Sequence, residues 1–137
     1  MDPRLSFVTL VVRDLAKSRA FYIGGLGWPV AFESPDEVVM IRVGERVVLS
    51  LWQEAAAVGE LGPIGRVEGA PPITLAHNVA TPSDVDRVLA EARAAGATVA
   101  AEGAERDWGG YSGYFADPDG FRWEIAYNPG PIGSSVR

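Results

Sequence analysis

The chain has 137 residues, 47% hydrophobic and 22% charged, which describes one soluble domain able to bury a core and excludes a disordered chain. A formal charge of −6, with Lys17 the only lysine and the arginines scattered, argues against a nucleic-acid partner; the absence of cysteine excludes disulfides, thiolate metal ligands and cysteine nucleophiles. No apolar run reaches membrane-spanning length and Met1-Asp2-Pro3-Arg4 leads straight into a strand, so a cytoplasmic protein without a membrane partner is expected.

Leu5 to Val12 is almost wholly apolar and β-branched, which predicts a strand covered on both faces. Asp14 is placed to cap a helix carrying Leu15, Ala20, Phe21 and Ile23, which ends at Gly24-Gly25. Strands follow over Pro29 to Glu33, Val38 to Val43 and Arg46 to Trp52, the last two joined by a two-residue turn at Gly44-Glu45. Residues 54–72, rich in Ala, Gly and Pro without a sustained period, read as an irregular connection.

The order then repeats. Ile73 to Ala80 is a strand, Ser83 with Asp86 suggests a capping box, and Val85, Val88, Leu89 and Ala92 form the apolar stripe of a helix ended by Gly96. A short strand over Ala97 to Ala101, an aromatic and Gly-rich loop over Trp108 to Tyr111, and a hairpin of Gly113 to Phe115 with Arg122 to Tyr127 complete it. The hairpin turn is Asp117-Pro118-Asp119-Gly120, where Pro118 presets φ, Asp side chains bond nearby backbone and Gly120 takes the remaining dihedral. The fold class is α+β: two βαβββ modules, offset by about 67 to 74 residues, whose curved mixed sheets enclose a cleft. The boundaries are 5–53 for module one, 54–72 for the connection, 73–128 for module two and 129–137 for a loose C-terminal tail.

Period two names the rows that face such a cleft: Phe7-Thr9-Val11, Val48-Ser50-Trp52, Thr74-Ala76-Asn78 and Arg122-Glu124-Ala126. Trp123 and Ile125 then fall on the opposite, packed side. The candidate ligand-binding residues are Phe7, Thr9, Ser50, Trp52, Thr74, Asn78, Trp108, Tyr111, Arg122 and Glu124, aromatic walls for affinity with polar groups for orientation. The competing reading makes these aromatics core residues of a closed cleft. His77, the only histidine, has the parity of the helix-covered side, which makes it structural; a ligand-contacting or proton-transfer role, or metal ligation, is the alternative, open only if a bulge turns it inward. Gly24-Gly25-Leu26-Gly27 follows a helix, so it is a turn and not a phosphate loop.

The segments Val8 to Tyr22, Leu26-Gly27-Trp28, Ala94-Ala95-Gly96-Ala97 and Asp117-Pro118-Asp119-Gly120 through Trp123-Glu124-Ile125 together resemble the vicinal oxygen chelate superfamily of glyoxalases, bleomycin-resistance proteins and extradiol dioxygenases. The resemblance implies a homodimer and a divalent metal held at the positions of Phe7, Ser50, Thr74 and Glu124. Glu124 is the only strong ligand type among them, so the expectation is no cofactor, with a weakly held divalent metal as the alternative. Two functions remain open. One is a metal-free binding protein for a planar or aromatic small molecule, extended by the acidic balance to a cation with Glu124 as counter-ion. The other is an enzyme, a lyase, isomerase or dioxygenase-like member, with Glu124 as catalytic general base or weak metal ligand.

Overall fold

The computed structural model describes residues 1–66 and 68–136. The chain divides into two compact units, Met1–Arg66 and Val67–Arg137, so the break falls inside the expected connection. Each unit is a βαβββ module with one four-stranded mixed sheet.

In the first unit, β1 (Phe7–Val12) leads into α1 (Leu15–Arg19), which widens into a π-helical turn over Ala20–Gly25; β2 (Val30–Ser34), β3 (Val38–Arg42) and β4 (Val48–Gln53) follow. The sheet order is β1-β4-β3-β2, with β1 parallel to β4 and the other pairs antiparallel. Asp14 caps α1, its carboxylate accepting from the Lys17 amide at 3.0 Å. Gln53 fastens the same helix start to the end of β4, its Oε1 accepting from the Leu15 amide at 2.9 Å and its Nε2 donating to the Arg13 carbonyl at 3.0 Å. Leu10, Val12, Leu49, Leu51, Val39 and Ile41 are buried on one sheet face, as are Leu15, Phe21 and Tyr22 of the helix. Phe21 meets Tyr22 edge-on at 4.9 Å, and Tyr22 meets Trp28 at 5.6 Å, which assigns Trp28 to packing.

Two expectations are corrected here. The β3–β4 ladder ends at Arg42 and Val48, with the Val43 amide bonded to the Val47 carbonyl, so the connection is longer than a Gly44-Glu45 turn. Residues 54–61 are not irregular but form α2 (Glu54–Leu61), packed on β1 and β4 with Ala57 buried and Gly62 at φ 79° ending it. Ala and Glu favour helix while the segment lacks an apolar stripe, so intrinsic preference operated where periodicity was silent.

The second unit runs β5 (Thr74–Asn78), α3 (Pro82–Ala94), β6 (Thr98–Glu105), β7 (Tyr111–Ala116) and β8 (Arg122–Tyr127), in the sheet order β5-β8-β7-β6. Thr81, not Ser83, caps α3: its hydroxyl accepts from the Asp84 amide at 3.2 Å, and Pro82 takes the first turn, where no amide donor is needed. Val85, Leu89 and Ala92 are buried against the sheet, and Trp123 stacks on Phe115 at 6.2 Å. β6 continues four residues past the expected Ala101 because two register shifts, at Val99/Ala101 and Ala101/Ala104, break the alternation that predicts strands. At the β7–β8 turn the Asp117 carboxylate accepts from the amides of Asp119 at 3.0 Å and Phe121 at 2.9 Å, and Gly120 takes φ 93°. The end of the chain is not a loose extension throughout: Pro131–Ser135 forms α4, with Gly133 buried against Asn128. Among the described residues no helix is long and apolar enough to cross a membrane.

Candidate functional site

Each sheet has one face covered by its helix, and the expected ligand residues lie mostly on the other. In the first unit the strand register aligns Thr9 with Ser50 and Met40, Val11 with Trp52 and Val38, and Phe7 with Val48 and Arg42. Phe7, Thr9, Glu37, Val38, Met40, Ser50 and Trp52 line a depression of about 270 Å³. Its apolar walls are Phe7, 51% exposed, and Trp52, while Ser50 is 4% exposed in its floor. The four first-unit candidates therefore come together. Val38, Met40 and Glu37 join them unannounced; the parity of Val38 and Met40 relative to Ser50 follows once β3 is known to pair with β4, whereas Glu37 precedes the strand.

In the second unit the corresponding rows are Thr74 with Arg122 and Ala116, Ala76 with Glu124 and Tyr114, and Asn78 with Ala126 and Ser112. Glu124 lies directly opposite Tyr114, whose hydroxyl donates to Glu124 Oε1 at 2.6 Å. This bond is the first cause of a raised Tyr114 pKa, since losing the phenolic proton would set two negative charges against each other; burial and the Glu124 charge add to it. Behind Tyr114, the Arg106 guanidinium carbon lies 5.7 Å from the ring centre. Arg106 Nε donates to Ser112 Oγ at 2.9 Å and Nη2 to the Ser112 carbonyl at 2.8 Å, and Ser112 is fully buried. Arg122 turns toward the hairpin, its Nη1 donating to the Gly120 carbonyl at 3.3 Å.

Tyr114, Arg106 and Ser112 are absent from the residues named from sequence. Tyr114 could have been found by counting outward from the Asp117-Gly120 turn, which pairs Ala116 with Arg122 and Tyr114 with Glu124. Arg106 could not, because the β6 bulges displace its phase.

Two candidates stand elsewhere. Trp108 caps the β6–β7 turn with its indole over Gly110, where an added Cβ would fall 1.6 Å from the ring. Tyr111 has the parity of Gly113 and Phe115, on the α3 side, and its hydroxyl donates to Asp86 of α3 at 3.0 Å; it does not share a face with Glu124. His77 pairs with Ile125, the α3 side again, and its pKa is lowered first by loss of hydration and then by the positive charge of Arg87.

Among the described residues no three His, Asp or Glu are grouped to hold a metal ion. Of the four positions that the resemblance points to, Phe7 offers no donor atom, Ser50 and Thr74 offer hydroxyls, and Glu124 Oε1 already accepts from Tyr114. That donor set does not fit a divalent metal.

The family model of the glyoxalase/bleomycin resistance protein/dioxygenase superfamily matches residues 4–125. The chain belongs to this superfamily. No curated protein matches it in sequence. Among solved structures, this superfamily member is similar to a glyoxalase-related enzyme from Fulvimarina pelagi at 32% identity, over 93% of this chain and 89% of that one, with a TM-score of 0.82. It is also similar to a glyoxalase/bleomycin resistance protein/dioxygenase from Nocardioides, at 24% identity over 95% and 87% of the two chains with a TM-score of 0.78. Lactoylglutathione lyase from Agrobacterium tumefaciens is 20% identical over 93% and 95%, with a TM-score of 0.71. The last two likenesses concern the fold alone.

Proposed function

We propose that this superfamily member is a metal-independent binding protein for a small planar or aromatic molecule, which it takes up in the first-unit depression. The observation that carries this reading is the lining itself: two aromatic side chains, Phe7 and Trp52, over a floor with one buried hydroxyl, Ser50, and a carboxylate, Glu37, at hand. Burying about 150 Å² of a ring at about 25 cal/mol per Å² contributes about 4 kcal/mol, which by itself corresponds to about millimolar affinity. Thr9, Ser50 and Glu37 are therefore the groups that would raise affinity and select the ligand. The proposal includes a homodimer, supported by the superfamily resemblance, and a cytoplasmic location with no nucleic-acid or membrane partner, supported by the acidic charge and the lack of long apolar runs.

The test is calorimetric titration with a panel of planar aromatic acids, amines and neutral compounds, repeated on Trp52→Ala and Ser50→Leu. Binding of at least one compound, weakened in both variants, is expected. No saturable binding across the panel would count against the proposal.

A second reading is favoured by the Tyr114–Glu124 bond. A carboxylate held by one oxygen keeps the other for a reacting proton, which suits a general base in a lyase, isomerase or dioxygenase-like enzyme. On this reading Glu124→Gln folds normally and loses turnover; retained turnover would end it.

A further inference from the structure

A second depression lies within the second unit, built around residues on the α3 side of its sheet. It has a volume of about 460 Å³ and is lined by Glu105, Arg106, Gly109, Gly110, Tyr111 and Tyr127, with Pro82 at the start of α3. Its organisation follows from the sheet register. Glu105 of β6 pairs with Tyr111 of β7, and Tyr111 pairs with Tyr127 of β8, so one carboxylate and two phenol rings form a single cross-strand row on the α3 side. The Tyr111 ring is not free to leave that row, because its hydroxyl is tied to Asp86 at 3.0 Å.

Around this row two carboxylates, Glu105 and Asp86, stand against one guanidinium, that of Arg106. Glu105 lines the depression and Asp86 binds the edge of Tyr111. The Tyr111 pKa is raised, first by the Asp86 bond, then by loss of hydration and by the negative charge of Asp86, Glu102 and Glu105. Glu102 is itself paired with Arg93 at 2.5 Å. Arg106 is the opposing cation and lines the same depression; its Nε and Nη2 donate to Ser112 and its guanidinium sits against the Tyr114 ring.

We propose that the depression bounded by Tyr111, Tyr127, Glu105 and Pro82 is a binding site for a small organic cation, a protonated amine or quaternary ammonium. The two tyrosine rings would supply the negative side of the ring quadrupole, and Glu105 the counter-charge, in a volume that admits a small organic cation with room for larger substituents. This site lies wholly within the second unit and does not depend on the first-unit depression.

Titration of the full chain with choline, followed by calorimetry and by NMR shifts, tests it. Saturable binding is expected, with the neutral carbon analogue, in which a tert-butyl group replaces trimethylammonium, binding at least about threefold more weakly. Tyr127→Leu and Glu105→Gln should each weaken choline by a similar factor, Tyr127→Phe should keep the affinity, and Trp52→Ala in the other depression should leave it unchanged. Since Glu105 is exposed, its substitution reports on binding without a folding penalty. The proposal is overturned by absent saturation, by equal binding of the neutral analogue, by affinity indifferent to both Tyr127→Leu and Glu105→Gln, or by loss of binding in Trp52→Ala.

Discussion

Tyr114 and Glu124 face each other across the β7–β8 hairpin and share a hydrogen bond of 2.6 Å, on the sheet face that α3 leaves uncovered. The fold favours the neutral phenol at this position, so the contribution of the pair to stability is complete below about pH 10, the ordinary tyrosine value, and fades as pH rises through the higher folded value. Ultraviolet difference titration should show Tyr114 titrating earlier in Glu124→Gln than in the unsubstituted protein. Tyr114→Phe should flatten the alkaline limb of the stability curve. An unchanged tyrosine titration in Glu124→Gln would mean that the bond does not form in solution.

His77 carries the opposite sign. Its folded pKa is lowered, so the unfolded chain takes up the proton first, and stability should fall as pH drops through about 6.5 toward the lower folded value. Proton NMR of this single imidazole follows it directly. Arg87→Gln should move the pKa back only part of the way, because loss of hydration is the larger cause.

Two glycines should respond to alanine in opposite directions. At Gly113 a Cβ would meet Leu89 Cδ1 at 2.6 Å and the Ala101 carbonyl oxygen, which is backbone and cannot step aside, at 2.9 Å. Gly113→Ala should cost about 1 to 3 kcal/mol, the usual range for overpacking. Gly59, inside α2, has nothing within 4 Å of such a Cβ. Gly59→Ala should stabilise by about 0.5 to 1 kcal/mol by relieving a mid-helix glycine. Denaturant midpoints of the two variants check both values.

Metal uptake is tested by elemental analysis after loading with zinc, nickel, manganese or ferrous iron. The donor set of Phe7, Ser50, Thr74 and Glu124 predicts less than stoichiometric metal, unchanged in Glu124→Ala. Stoichiometric metal that disappears in the variant would overturn this.

The two modules were legible because they depend on local chemistry. Asp14 beside an apolar helix stripe, the Asp117-Pro118-Asp119-Gly120 turn and the alternation through Phe7-Thr9-Val11 and Arg122-Glu124-Ala126 each act within a few residues, and each recurs in the structure. The helix over Glu54–Leu61 escaped because Ala-rich sequence carries helix preference without periodicity, and the full length of β6 because its bulges interrupt the period-two alternation. The candidate site was legible by face but not by neighbour: Ser50 and Trp52 were named, while Val38 and Met40, which complete their depression, were not.

By itself, then, the sequence determined the order of elements, the turn chemistry and the side of each strand on which a residue stands, since these follow from dihedral preference and side-chain alternation. Only the tertiary structure decided which strands adjoin, that Thr9 stands beside Ser50 across a parallel pair, that Arg106 reaches Ser112 and Tyr114, and that Tyr111 reaches across 25 residues to Asp86. The reason is that parallel pairing and bulge placement are set by contacts between distant segments, whose register no local pattern encodes.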